Sequence, residues 1–194
     1  MQYMGNKIWW NKRFKSRKLN VMSYEKYLEE DITYFKPRGK ILDIACGDGR
    51  NSIYLARLGF EVVAIDFSEE ALNRLTYFAK EEKLSIETKL IDLSSVDKLK
   101  SFGKFDGIII NHYRIKKEFY DDLMNCINNN GILWVNGFRE VPRDNPNITN
   151  DDIFEDDEFE ILDKYKIVSK KLYEIGDRKF IRGIWSKIWL RQTD

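Results

Sequence analysis

Apolar residues along the chain come in short runs separated by polar turns, and the period of each run predicts an element. Through "MSYEKYLEEDITYF", Tyr24, Tyr27, Leu28, Asp31, Ile32 and Phe35 recur at helical spacing, with Ser23 placed to cap the start. Pro37 and Gly39 end that helix, and "KILDIA" follows as a short apolar strand bounded by turn residues. A helix from about Asn51 to Leu58 closes at Gly59, where a left-handed cap is easiest for glycine. "EVVAID" predicts a second strand. Ser68 then caps a helix that carries Glu69 and Glu70 in its first turn and Leu72, Leu75 and Ala79 on its inner side.

"SIETKLID" reads as a third strand, more polar and so nearer a sheet edge. "FDGIIIN" reads as a fourth, apolar enough to be buried on both faces. Residues 116–128 predict a helix with Phe119, Leu123, Cys126 and Ile127 inward, and "GILWVNGF" a fifth strand. After an acidic loop, "KIVSKKLYEI" and "KFIRGIWSKIWL" flank Gly176-Asp177, a hairpin signal. This order predicts an α/β, doubly wound, mostly parallel Rossmann-like seven-stranded sheet with a C-terminal antiparallel hairpin. Trp134, Trp185 and Trp189 fall in strand patterns and are expected in the core or at its edge.

Composition narrows the class. The 194 residues are 43% hydrophobic, enough for one core, and the expectation is a single domain over 1–194. Within it, 1–36 form an N-terminal helical arm and lid, 37–137 a ligand-binding core, and 138–194 an acidic loop with the final hairpin. Lys and Arg number 33 against 32 Asp and Glu, so no overall field points to nucleic acid. Two cysteines make no disulfide framework, the first residues lack the apolar stretch of a signal peptide, and no run has the length of a membrane span. The expectation is a cytoplasmic protein with no membrane partner, monomeric or homodimeric. Charge is nevertheless segregated: residues 1–20 hold six basic side chains and no acid, and residues 140–163 hold ten acids. Either both segments are solvated, or they pair and rim a site opening.

In sheets of this kind ligands bind past the carboxyl ends of the strands. Here the first strand runs through Asp43 into Cys46-Gly47-Asp48-Gly49. Two glycines let the backbone turn tightly and come close to a ligand, and the helix behind them points free N–H groups at it. The second strand ends in Asp66, about 20 residues on, where a carboxylate reaches a ribose diol. The third ends at Asp92 and the fourth at Asn111-His112-Tyr113-Arg114, which contains the only histidine of the chain. A dinucleotide site wants a third glycine, and Ser52 stands in its place. Asp43 would also disfavour a pyrophosphate while favouring an ammonium or sulfonium. An adenosine bearing an amino-acid tail, S-adenosylmethionine, fits the strand ends better.

"LDIACGDGRNSIYLARLGFEVVAIDFS" resembles the glycine-rich and acidic motifs of class I S-adenosylmethionine-dependent methyltransferases, and within them the small tellurite-resistance and thiopurine-type branch. "WWNKRF" at 9–14 is similar to the amino-terminal aromatic-arginine segment of that branch. The resemblance implies that Asp43, Gly47 and Gly49 hold the methionine part, with backbone groups of Ala45 and Cys46 and with Asn51. It implies that Asp66 accepts from the ribose hydroxyls, Phe67 covers the adenine, and Asp92 with the Leu93 amide takes the adenine amino group. Asn111 and His112 would lie nearest the transferred methyl group, with Arg114 a third catalytic candidate and no metal. Trp10, Arg13, Tyr113 and Arg139 would line the substrate or form the lid. The chain departs from the branch at His112-Tyr113-Arg114, where the branch is more apolar. The implied activity is methyl transfer to a small molecule such as a thiol, a selenium or tellurium oxyanion, or a small acid. Two alternatives stay open. One is a nucleic-acid methyltransferase using the basic arm with Trp9, Trp10 and Phe14, although the fourth strand end lacks an Asn-Pro-Pro-Tyr-like element. The other is a non-catalytic S-adenosylmethionine binder.

Overall fold

The computed structural model describes residues 6–93, 102–145, 147–155 and 157–189. The first five residues of the expected arm, Asp156 of the acidic stretch, Leu190 at the hairpin end and the Trp189 side chain lie outside them. Seven strands form one sheet in the order β3-β2-β1-β4-β5-β7-β6. The polar third strand is at one edge, as its sequence predicts. The chain divides into two compact units, Met1–Lys98 and Leu99–Asp194.

In the first unit, β1 (Lys40–Ile44), β2 (Glu61–Asp66) and β3 (Ile86–Leu90) pair in parallel. The apolar runs of β1 and β2 are buried throughout their inner length, which is why they read without alternation. Helices α3 (Arg50–Arg57) and α4 (Glu69–Glu81) follow β1 and β2, and Ile53, Ala64, Leu75 and Phe78 pack as one cluster. Ahead of them lie α1 (Lys7–Ser16), capped by Asn6, and α2 (Lys26–Asp31).

The expected helix from Ser23 is shorter than its periodicity suggests. It begins after Glu25, without a side-chain cap of its own, and tightens into a 3₁₀ turn over Ile32–Tyr34. The reason is tertiary: Asn51 supplies the acceptor for the Glu25 N–H at 2.9 Å, so Ser23 is not needed as a cap.

In the second unit, β4 (Phe105–Asn111) pairs in parallel with β5 (Ile127–Phe138). β5 pairs antiparallel with β7 (Arg178–Trp189), and β7 with β6 (Tyr165–Ile175) through the turn at Gly176-Asp177. Trp134 and Trp185 are fully buried, as their strand positions predict. The helix expected over 116–128 reduces to a 3₁₀ turn and α5 (Tyr120–Asn125), because Ile127 already pairs with Phe105 as the first residue of β5.

Candidate functional site

In the first unit the loop after β1 is built on left-handed backbone: Ala45 at φ 53°, Gly47 at 58° and Gly49 at 83°. Gly49 is the N-cap of α3, and a Cβ there would lie 2.1 Å from Leu75 Cδ1 of α4. Glycine is therefore required by both conformation and packing. The Cys46 N–H donates to Ile65 O of β2, and the Gly49 N–H closes the turn onto Cys46 O. Burial pushes the Cys46 thiol well up, and the residue packs, partly buried, against the cluster of Ile53, Ala64, Leu75 and Phe78.

Two carboxylates hold this loop. Asp66, at the end of β2, accepts from the N–H groups of Gly47 and Ser68, each at 2.8 Å. It thereby ties the β1 loop to the start of α4, and burial raises its pKa despite those bonds. Asp43 lies beneath the loop, buried, and accepts from Ser52 Oγ at 2.6 Å. Desolvation pushes it up to about 7, against the pull of the Ser52 hydrogen bond. Ser52, in the place a third glycine would occupy, is thus the partner of the buried acid.

The arm meets the same loop. The Phe14 ring lies 3.3 Å from where a Gly47 Cβ would stand, Trp10 stacks on Phe14 at 5.6 Å, and Arg13 lies over Trp9 and Trp10. Ser68 Oγ donates to Asn11 Oδ1 at 2.6 Å. A residue that the sequence pattern does not single out anchors the arm: Asp48, inside the glycine loop, receives Arg74 of α4 at 3.2 Å and Arg17 at 3.3 Å. Arg74 also donates to the carbonyls of Arg17 and Lys18. Nothing local marks this cluster, since Asp48 and Arg74 are 26 residues apart. Phe67 is half-buried beside Asp66. Asp92 is exposed just past β3, and Leu93 is buried. Asn51, expected toward a ligand, has its side-chain oxygen committed to the Glu25 amide.

In the second unit Asn111 ends β4 and His112 follows at φ 55°, a conformation that costs a non-glycine residue and persists only when its surroundings impose it. Its N–H donates to Asn136 O at 2.7 Å, and its ring lies 5.2 Å from Phe138 and 5.8 Å from Phe180. Asn136 Nδ2 donates to Asn111 Oδ1 at 2.9 Å, and Tyr173 Oη donates to Asn136 Oδ1 at 2.6 Å. His112 is exposed, and Tyr113, next in the chain, is half-buried. Arg139 donates to Phe154 O and, with Tyr173, Lys179 and Phe180, lines an open groove of about 500 Å³.

Arg114 requires a correction. Its guanidinium is not offered to a ligand: it pairs with the buried Glu158 at 2.7 Å and donates to Asn150 O. The two charged segments, which the sequence leaves either solvated or paired, carry ion pairs of their own. Among the described residues the acids find cations of their own unit, Asp144 on Arg178, Glu140 on Lys179 and Asp157 on Lys117, while Arg17 of the arm pairs with Asp48. No cluster of metal-ligand type occurs among the described residues, and none of their helices is long and apolar enough to cross a membrane.

The family model "Tellurite resistance protein TehB" matches residues 8–126, from the arm to the end of α5. The chain belongs to the TehB family. A ubiquinone biosynthesis O-methyltransferase of Pelagibacter ubique is 32% identical over 142 residues, 66% of this chain and 58% of that protein. A probable S-adenosyl-L-methionine-dependent methyltransferase TehB of Haemophilus influenzae is 40% identical over 58 residues, 30% of this chain and 20% of its own length. The chain therefore spans less than two thirds of these curated relatives. The crystal structure of TehB from Haemophilus influenzae superposes with a TM-score of 0.70 at 20% identity, covering 94% of this chain and 67% of that one, a likeness of fold.

Proposed function

We propose that the protein is an S-adenosylmethionine-dependent methyltransferase acting on a small molecule. The observation that carries the reading is the loop after β1: left-handed backbone at Gly47 and Gly49 above a buried carboxyl at Asp43, tied to the acid that ends β2. A buried acid poised near neutrality suits a cationic ligand group and opposes a pyrophosphate. Asp66 keeps acceptor capacity for a ribose hydroxyl, because a carboxylate offers about four acceptor positions and the backbone amides of Gly47, Phe67 and Ser68 take three. Membership in the TehB family and the methyltransferase names of the relatives point the same way.

In this reading Asp43 and the backbone of Ala45, Cys46, Gly47 and Gly49 would hold the methionine end. Asp66 would hold the ribose, Phe67 the adenine face, and Asp92 with the Leu93 amide the adenine amino group. When bound, S-adenosylmethionine supplies a methyl group activated by its positive sulfur. The protein supplies approach geometry and exclusion of water. The arm would keep water out, since Phe14 lies on Gly47 with Trp10 and Arg13 stacked behind it. Asn111 and His112 would serve the acceptor, His112 taking up its proton.

Calorimetric titration tests the assignment. Affinity in the micromolar range is expected, a scale usual for enzyme ligands. Asp66→Ala should weaken binding about tenfold or more, the size of a lost charged hydrogen bond. Absence of binding at millimolar concentration, or unchanged affinity in the variant, removes the reading or its ribose placement respectively.

A further inference from the structure

We propose that β6 is a docking edge for a second copy of this chain, with Ser169–Ile175 pairing antiparallel to itself about a two-fold axis at Leu172. The interface lies wholly in the second unit and does not depend on the methyltransferase reading.

β6 stands at one end of the sheet order, pairing with β7 on one flank and with no described strand on the other. Its outward N–H and C=O groups are a template for one more strand. The register with β7 runs unbroken from Ser169 to Ile175, past the irregularity at Ile167/Ser169, so this stretch presents a regular edge. Leu172 lies opposite the buried Ile181 of β7 yet is itself 69% exposed, and Ile175 is 53% exposed. The other edge strand differs: β3 is short, and its Glu87 and Lys89 already pair with each other at 2.9 Å.

The order of side chains along this edge selects the occupant. Successive residues alternate between the two faces of a sheet, so Lys170, Leu172 and Glu174 share one face and Lys171 and Tyr173 the other. A two-fold interface sets residue i on j and j on i. About Leu172, Lys170 then meets the partner's Glu174, Glu174 meets the partner's Lys170, and the two Leu172 side chains meet each other. On the other face each Lys171 meets the partner's Tyr173, a cation beside an aromatic ring. Opposite charges and apolar pairs directly across strands stabilise a sheet, and like charges oppose it.

Neighbouring registers lose this match. A two-fold axis keeps opposed residues on one face, so it must pass through a residue. Through Lys171 it would set that lysine against itself and Lys170 against Leu172. Through Tyr173 it would set Glu174 against Leu172. β7 extends the favoured rows: Lys179 lies opposite Glu174 and pairs with Glu140 at 2.8 Å, so charges alternate from Glu140 through Lys179 and Glu174 to the partner's Lys170.

Sedimentation velocity of the full chain over a range of concentrations tests the proposal. One strand edge is a small interface, so a weak dimer is expected, dissociating in the micromolar range or above. Lys170→Glu and Glu174→Lys each turn both attractions into repulsions and should weaken association about tenfold or more. Mixed together, the two variants regain opposite charges in both pairs, and a heterodimer of about parent affinity should form. Lys170 also lies over the Phe159 ring, so Leu172→Lys, at an exposed site, supplies a variant that should weaken the dimer while leaving that contact in place. Alternate amides of 169–175 should exchange more slowly as concentration rises. A parent chain monomeric at millimolar concentration overturns the proposal and leaves the edge to another partner. A dimer indifferent to Leu172→Lys, or single variants that associate no better when mixed, overturns it as well.

Discussion

The Asp43 carboxyl sits under the glycine loop with a hydrogen bond from Ser52, and desolvation pushes it up to about 7 from an ordinary 3.8. In the unliganded chain this acid holds its proton where the unfolded chain has lost it. Its contribution to stability is therefore full below pH 3.8 and is lost as pH rises toward 7. Cation binding runs the other way, because a proton on Asp43 competes with the ligand. Affinity for S-adenosylmethionine should rise with pH between about 5 and 7, approaching tenfold per unit at the low end, with uptake of ligand releasing a proton. Calorimetry in buffers of different ionisation heat reads both quantities. Asp43→Asn should flatten the profile, and Ser52→Ala should move its midpoint to higher pH, since the lost bond favoured the ionised form. A profile that stays steep in Asp43→Asn would assign the titration elsewhere. The sequence disclosed Asp43, Gly47, Gly49 and Asp66 because a strand, a tight turn and a helix start follow one another within a few residues. Ser52 was visible only as a missing glycine, and its bond to Asp43 needed the turn of α3 to appear. Asn136 and Tyr173 sit in strand patterns that look purely structural, and their meeting depends on strand register.

At the scale of elements, the arm shows what local pattern can and cannot say. Its aromatic and basic residues were legible, but its attachment was not, because Asp48, Arg74 and the carbonyls of Arg17 and Lys18 come from separate segments. The same distance effect shortened α2, where Asn51 fills the role expected of Ser23, and α5, where β5 claims Ile127. The arm carries few buried side chains of its own, Phe14 being the buried one in α1, so its hold depends on this polar anchor. Arg74→Ala removes the donors to both carbonyls and one partner of Asp48, a loss of about 1.5–3 kcal/mol for hydrogen bonds to charged groups. Amides of residues 7–20 should then exchange at least tenfold faster, and dissociation of S-adenosylmethionine should quicken if the arm is the lid. Unchanged exchange would mean that Phe14 and Asn11 suffice to hold it. Arg74→Lys keeps the charge without the fork and should restore only part of the protection.

Over the whole molecule the charges nearly cancel, and most ion pairs lie on the surface, where each contributes little. The exceptions are Arg74 with Asp48 in the first unit and Arg114 with Glu158 in the second. The Glu158 side chain is 1% exposed, and Arg114 ties it and Asn150 O, both from the acidic segment, to the chain just after β4. Breaking such a pair from one side leaves a charge buried without its partner, which costs more than the pair itself contributes. Because Arg114 is 23% exposed and water reaches it, the cost of Arg114→Met should fall near the lower end, about 3 kcal/mol. For a chain of this length that is a fall in Tm of about 6–12 °C. Replacing both partners, Arg114→Met with Glu158→Leu, removes the stranded carboxylate and should recover most of the loss, while affinity for S-adenosylmethionine stays at the parent value. Thermal unfolding of the single and double variants reads the coupling directly. A single variant as stable as the parent, or a double variant no better than the single, would mean that the pair does not secure the acidic segment, and would return Arg114 to the residues available for an anionic ligand.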